Sequence, residues 1–405
     1  MELKARLLES SRAMQDELVA FRRYLHQNPE LSLDLPITTK FVKEQLIAMG
    51  YEPQDCGKSG IVAIAGGQRP GKVFLIRGDM DALPVEEAAD VPFKSVNGNM
   101  HACGHDLHTA MLLGAAKLLK AMEPDIQGQV KLMFQPAEET LAGAKNMIEA
   151  GVLKAPDVDA AMMIHVMTGF PLPAGKVIVS QAGLTAAASD WFEIHVQGKG
   201  GHGAMPNNAV DPINAATHIF QAIQTIHSRE LAPGQAVALT IGKFVSGTTS
   251  NVIPDTAHMY GTLRTYEPET RTFVRERLEA IAKATAEAVR ATAEVKIVDG
   301  CPALNNDAAL VESTRTILKE LLPENDLLDM SVLTGGGKMS GSEDFAYVSE
   351  KVPTVMLGLS AGNADEGYRF PQHHPKAIFD ESVLSTGAAV YAYAAARWLD
   401  EHSKA

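Results

Sequence analysis

Cysteine is scarce in this chain: three in 405 residues, at positions 56, 103 and 301. Three thiols so far apart make a poor disulfide framework, and a reducing cytoplasm is the compartment that such usage implies. Basic charge is also in deficit, with 36 Lys and Arg against 49 Asp and Glu, a formal net charge of -13. That balance argues against nucleic acid or an anionic membrane as the main partner. No uninterrupted apolar run is long enough to span a bilayer. The start, Met1-Glu2-Leu3-Lys4-Ala5-Arg6, mixes signs and does not read as a signal peptide. Low-complexity tracts and short repeats are missing too. What is present is an ordinary globular balance, 46% hydrophobic and 21% charged. At this length two domains are expected.

One stretch concentrates chemistry: His101-Ala102-Cys103-Gly104-His105-Asp106-Leu107-His108-Thr109. Cys and His two apart are good ligands for a divalent transition metal. Gly104 between them suits a tight turn, because glycine tolerates backbone angles that other residues avoid. The apolar run from Ala110 to Leu119 that follows reads as a buried helix, so the cluster sits in a loop and at that helix's N-terminus.

Residues 1–50 read as two helices, the second spanning Thr38 to Met49 and stopped by Gly50. Short apolar strands follow at 61–65, 73–76, 130–134 and 160–164. Three of them deliver polar groups just past their ends: Asp79-Met80-Asp81, then Gln135-Pro136-Ala137-Glu138-Glu139, then His165. Ligand sites of α/β sheets lie outside the carboxyl ends of their strands. Adjacent carboxylates repel, but beside a dication one can ligate while the other moves protons. The expected fold is α/β with a mainly parallel sheet flanked by helices.

Near residue 185 the organisation changes. Strands from 191, near 236–246 and 256–265, and at 295–298 alternate with helices near 209–228 and 268–291. That order, βαββαβ, is a split βαβ sandwich. It predicts an inserted α+β domain over 186–295, with a discontinuous domain of 1–185 and 296–405 around it. Beyond the insertion, a helix at 307–322 and strands near 330–333 and 354–358 read as the first domain resuming. Of the histidines outside the motifs, His26, His101, His108, His195, His218, His227, His258 and His402 default to structural or solvated roles.

Taken together, Asp79–Pro84, Cys103–His108, Gln135–Glu139, Gly201-His202, Ser250–Pro254 and His373-His374-Pro375 resemble the metal-dependent aminoacylase/carboxypeptidase family. The branch most resembled contains hippurate hydrolase and the plant auxin–amino-acid (IAA-amino acid) conjugate hydrolases. The resemblance covers nearly the whole chain, in order. It implies a zinc-exopeptidase-like catalytic domain and a ferredoxin-like insertion that serves as dimerisation and lid domain. It implies metal positions at Cys103, His105, Glu139, His165 and His373, with His374 the neighbouring alternative, and a general base at Glu138. Distant relatives carry a His-x-Asp pair where this chain has Asp79-Met80-Asp81. Asp79 is therefore left out of the ligand set, while Asp81 keeps the place of an orienting carboxylate. His202 matches a histidine that reaches the partner subunit's active site in relatives. Asn251 matches a polar residue of the same interface and joins the substrate-binding set.

Five ligands of mixed type are too many for one tetrahedral structural zinc and suit two ions. Manganese, zinc, nickel and cobalt fit such ligands better than magnesium or calcium. The expected reaction is hydrolysis of N-acyl-L-amino acids to a carboxylic acid and an amino acid by a metal-activated water. Arg264, at a strand end of the insertion, is the candidate for holding the substrate carboxylate, since a guanidinium binds one bidentately. Backbone amides near Gly335–Gly337 and Gly341-Ser342 are further donors. A dipeptidase or carboxypeptidase on the same site is the close alternative. A metal sensor without turnover is a remoter one, because a sensor needs no spare base. The expected assembly is a homodimer through the insertion, or a tetramer built from it.

Overall fold

The stretch after Gly104 folds as the helix His105–Ala121, buried almost all the way round. A helix that is apolar on every face has to be enclosed. In the computed structural model, which describes residues 3–403, it is a central helix of the larger of two units. That unit takes in residues 3–185, 305–338 and 344–403. The closing helix Leu384–His402 lies directly against the central one. At Gly387 a Cβ would come within 1.9 Å of Met111 Sδ, so only glycine permits this approach. Tyr391 on the same closing helix donates its hydroxyl to the Arg77 carbonyl and accepts the Ile164 amide, tying two strands to it.

The eight-stranded sheet of this unit runs in the order 54–55, 61–66, 129–135, 73–79, 160–167, 354–360, 177–179, 327–329. Its centre is parallel: 129–135 with 73–79, 73–79 with 160–167, and 160–167 with 354–360. Antiparallel pairs flank that centre. The sheet is therefore mixed, with four parallel strands at its centre, as expected where both faces are covered.

Local expectations needed three corrections. The N-terminal 50 residues form three helices, Leu3–Ala13, Gln15–Gln27 and Pro36–Ala48. The first break is the single residue Met14, with φ -97° and ψ 7°, which hardly disturbs the apolar spacing. The segment expected as a strand near 330–333 is instead the strand Leu327–Asp329 followed by the one-turn helix Ser331–Thr334. Short apolar runs do not distinguish the two by period. His165 lies within the strand Ala160–Met167 rather than beyond its end.

The smaller unit comprises residues 186–304 and 339–343. Its antiparallel sheet has the order 238–246, 256–265, 188–197, 292–299, which is the split βαβ arrangement. An end at 295 would cut the last strand. Thr292–Asp299 pairs along its whole length with 190–197, so the unit continues past it. Phe192, Ile194, Val196, Met259 and Leu263 face the helices Pro212–Thr225 and Pro268–Ala288 and make this unit's core. The alternate residues of the strands point away from those helices. Among the described residues no helix is long and apolar enough to cross a membrane.

Candidate metal centre

Gly104 takes φ +92°, and a Cβ there would meet Val166 Cγ2 at 2.4 Å. A side chain at this turn is excluded both by the left-handed backbone and by the strand behind it. The turn aims Cys103 and His105 at the same point. Two further loops reach that point through residues in strained left-handed conformations: Ala137 with φ 55°, just before Glu138-Glu139, and His373 itself with φ 66°. Non-glycine residues hold such angles only where the surroundings over-determine them, as they do around functional sites.

These turns bring five side chains together. One ligand atom each from Cys103, His105 and His165 lie within 4.8 Å of one another, and the same holds for Cys103, Glu139 and His373. The Cys103 Sγ is 3.6 Å from His165 Nε2 and 3.3 Å from His373 Nε2. His373 Nε2 is 3.6 Å from Glu139 Oε2. Glu138 stands beside them, its carboxylate 3.9 Å from His105 Nε2. His374 is turned to other work: its Nδ1 accepts the Lys376 amide and its ring stacks on Phe370. Of the two neighbouring histidines, only His373 reaches the cluster.

A ring of outer contacts fixes how each imidazole presents itself. His105 donates from Nδ1 to the Asp81 carbonyl at 2.9 Å, and His165 from Nδ1 to the Val166 carbonyl at 2.7 Å. Both Nε2 atoms are thereby turned toward the cluster, which is how metal-ligating histidines are oriented. The Asp81 carboxylate accepts the amides of Glu138 and Glu139 at 2.9 and 3.2 Å and so pins their loop. His105 Nε2 and Glu139 Oε1 are buried and have no hydrogen-bond partner. Buried polar atoms without partners call for one. A thiol, imidazoles and a carboxylate around such atoms are the donor set of borderline divalent cations.

The protonation behaviour agrees. Burial pushes the Glu139 carboxyl up to about 7, with Asp81 and Asp79 adding to the rise. Burial also holds the Cys103 thiol well above its ordinary range, and the neighbouring Glu139 adds to that. Burial alone would lower His105, but Asp79 and Cys103 outweigh it and hold the imidazole well above its usual value. The cluster thus retains protons where it lacks a cation, and these are the protons that ligation displaces.

The family model for Peptidase family M20/M25/M40 matches residues 75–397. The chain belongs to that family. It is 38% identical to thermostable carboxypeptidase 2 of Saccharolobus solfataricus, over 98% of this chain and 99% of that one. It is 36% identical to hippurate hydrolase of Campylobacter jejuni, over 95% and 97%. Among solved structures, a Bacillus subtilis protein described as a dinuclear metal-binding peptidase of the M20 family superposes with a TM-score of 0.80. It shares 34% identity over 96% of this chain and 99% of that one. The M20 chain described here is accordingly a hydrolase acting on amide bonds, with the α/β fold of that family.

Behind the cluster this M20 enzyme carries a layer that sequence reasoning assigned to default roles or missed. His108 is fully buried; it donates from Nδ1 to Asp79, and its Nε2 accepts the Val166 amide at 2.8 Å. Burial lowers it to about 4, so it is neutral at pH 7. Asp79 also accepts from Arg77 at 2.7 Å, and Arg77 reaches Asp344 at 3.0 Å. Asp79 therefore joins the ends of a strand and the central helix, and it lies within 4.8 Å of His105 and His108. On the helix's other side Asp106 accepts from Arg22 at 2.7 Å and from His26 at 2.8 Å. His26 also reaches Glu87 at 3.1 Å. The only signal in the sequence was the density of polar residues around an otherwise apolar helix.

The remaining side-chain candidates belong to the smaller unit, and Gly335–Gly337 to the larger. His202 and Asn251 sit on a two-stranded ribbon in which Gly201–His202 pairs with Val252–Ile253. Both side chains are exposed. His202 Nδ1 accepts the Ala204 amide, and Asn251 accepts from Thr249. Arg264 is not on that ribbon; at the end of the 256–265 strand it hydrogen-bonds the Ser342 hydroxyl. Gly335 and Gly336 form a left-handed turn after the short helix, and the Gly341 carbonyl accepts the Ala187 amide.

Proposed function

We propose that this enzyme hydrolyses N-acyl-L-amino acids, hippurate-like conjugates included, releasing a carboxylic acid and an amino acid. The observation that carries the reading is the pair Glu138-Glu139. Glu139 groups with Cys103 and His373, and Glu138 can group with His105 and Glu139; with the five other ligands holding the ions, the Glu138 carboxylate is left to move protons. Cys103, His105, Glu139, His165 and His373 would hold two divalent ions, of zinc, manganese, nickel or cobalt. When bound, such ions supply Lewis acidity to a carbonyl and lower the pKa of water from about 16 towards about 7.

Glu138 takes the proton of the attacking water and returns it to the leaving nitrogen. Proton transfer of this kind contributes about 10²–10⁴-fold. Asp81 keeps Glu138 in reach by holding its amide. Arg264 receives the carboxylate of the amino-acid half, releasing Ser342 to do so. His202 donates to the developing oxyanion, supplied by the partner subunit of a homodimer built on the smaller unit, and Asn251 lines that interface. The scarcity of cysteine supports a cytoplasmic setting.

The test is a kinetic comparison of N-acetyl- and N-benzoyl-amino acids with dipeptides bearing a free amine. It uses enzyme stripped by chelator and reloaded with each metal in turn. Turnover of the acyl substrates, lost on stripping and restored by metal, is expected. Turnover of the free-amine dipeptides alone would make it a dipeptidase or carboxypeptidase instead.

A further inference from the structure

The smaller unit contains a histidine pair that the proposed reaction does not use. His195 on the strand Ala188–Gln197 stands directly opposite His258 on the strand Thr256–Thr265. Both point away from the core helices, and their Nδ1 atoms approach to 2.9 Å. The outer nitrogen of each ring is already engaged. His195 Nε2 lies 3.1 Å from the Glu193 carboxylate, and His258 Nε2 lies 3.2 Å from the Thr256 hydroxyl. An ionised carboxylate only accepts, so His195 carries its proton on Nε2 and presents a bare lone pair at Nδ1.

We propose that His195 and His258 form a further divalent-metal site on the outer face of this sheet, separate from the Cys103 cluster in sequence and in unit. The two Nδ1 atoms are the ligands, and Glu294 completes the site with its carboxylate. Glu294 is exposed on the next strand, in register opposite His195, and so shares its face. Across four strands the row reads Val245, His258, His195, Glu294.

The charged groups facing this row do not compete for it. Lys243 lies over the Tyr260 ring, and Lys296 stands opposite Glu193. Without metal, His258 donates its Nδ1 proton to the bare Nδ1 of His195. On binding, that proton passes to His258 Nε2, whose bond to Thr256 then runs from nitrogen to oxygen. No net proton is released. The Glu193–His195–metal arrangement is the one that orients imidazole ligands elsewhere.

Two nitrogens at about 2.0–2.1 Å from a tetrahedral zinc stand about 3.3 Å apart. The pair needs to open by only about 0.4 Å, which a small χ rotation of half-exposed rings supplies. Zinc, nickel and copper suit such ligands, magnesium and calcium do not.

The experiment titrates nickel into the full-length holoenzyme by calorimetry and counts bound metal after gel filtration. The wild type is expected to take up one equivalent per chain more than His195→Gln or His258→Gln. The additional equivalent should survive Cys103→Ala, and Glu294→Gln should weaken it at least tenfold. The two histidines are partly exposed, and hydrolysis by their variants should be unchanged, which reports that the fold is intact. Equal nickel uptake by the wild type and both histidine variants would overturn the proposal. So would an extra equivalent that disappears with Cys103→Ala. For a variant that does not fold, Glu294→Gln with undiminished nickel affinity and stoichiometry would count equally against it.

Discussion

The Cys103 cluster and the ribbon bearing His202 belong to the same expected site, yet they are built in opposite ways. In the larger unit His105 and His165 are each oriented by a backbone carbonyl and Glu139 by the Asp81 carboxylate, Cys103 and His105 are buried, and two buried atoms lack a partner. In the smaller unit the side chains of His202 and Asn251 are exposed and hydrogen-bond only within their own loops. Burying polar groups costs free energy unless something satisfies them. The first region therefore declares its need for a cation from within its own unit. The second declares no such need by itself. On the proposed reading the first region is the preorganised half of the site and the second is the half that assembly would complete.

The sharpest way to break this comparison is Glu138→Gln. It should cut turnover by about 10²–10⁴-fold while metal content stays at the wild-type level. Near-normal kcat would remove Glu138 as the base and leave the cluster a mere binding site. Next is His202→Ala, expected to cost about 10²–10³-fold in kcat if it donates to the oxyanion. Metal content and melting temperature should not move, because its contacts are local and exposed. A drop in metal content would show that the two halves are not built separately.

Gly104→Ala probes the preorganised half through its backbone. The new Cβ meets Val166 in a left-handed turn, so a loss of about 1–3 kcal/mol in folding stability is expected, read by denaturant unfolding. An unchanged midpoint would mean that the turn can relax. The smallest effect concerns pH. In stripped protein the raised Glu139 carboxyl favours the fold only while protonated, and that contribution fades as pH rises through about 7. A bound cation wants the ionised form. The gain in melting temperature on adding metal should therefore be small at pH 5 and larger at pH 8. A gain that shrinks with rising pH would contradict the assigned ligand.

Much of the larger unit was legible because its elements obey local rules. Apolar strands ended in polar residues, and the glycine between Cys103 and His105 marked a turn that no other residue fits. The alternation in 191–196 marked a half-buried sheet, and the βαββαβ order gave its strand arrangement. The break at Met14 was hidden because one non-helical residue leaves the apolar period intact. The end of the insertion was hidden because it depends on how far a strand finds partners, which is a property of pairing rather than of composition.

By itself, then, the sequence determined the residue types, the order of elements and the family motifs, since these follow from spacing and side-chain chemistry along the chain. Only tertiary structure decided which of His373 and His374 reaches the thiol, and that His108 and Asp79 hold up the site from behind. It alone faced His195 with His258. Each of those choices is made by groups distant along the chain that compete for one buried or paired position, and no local pattern encodes the outcome.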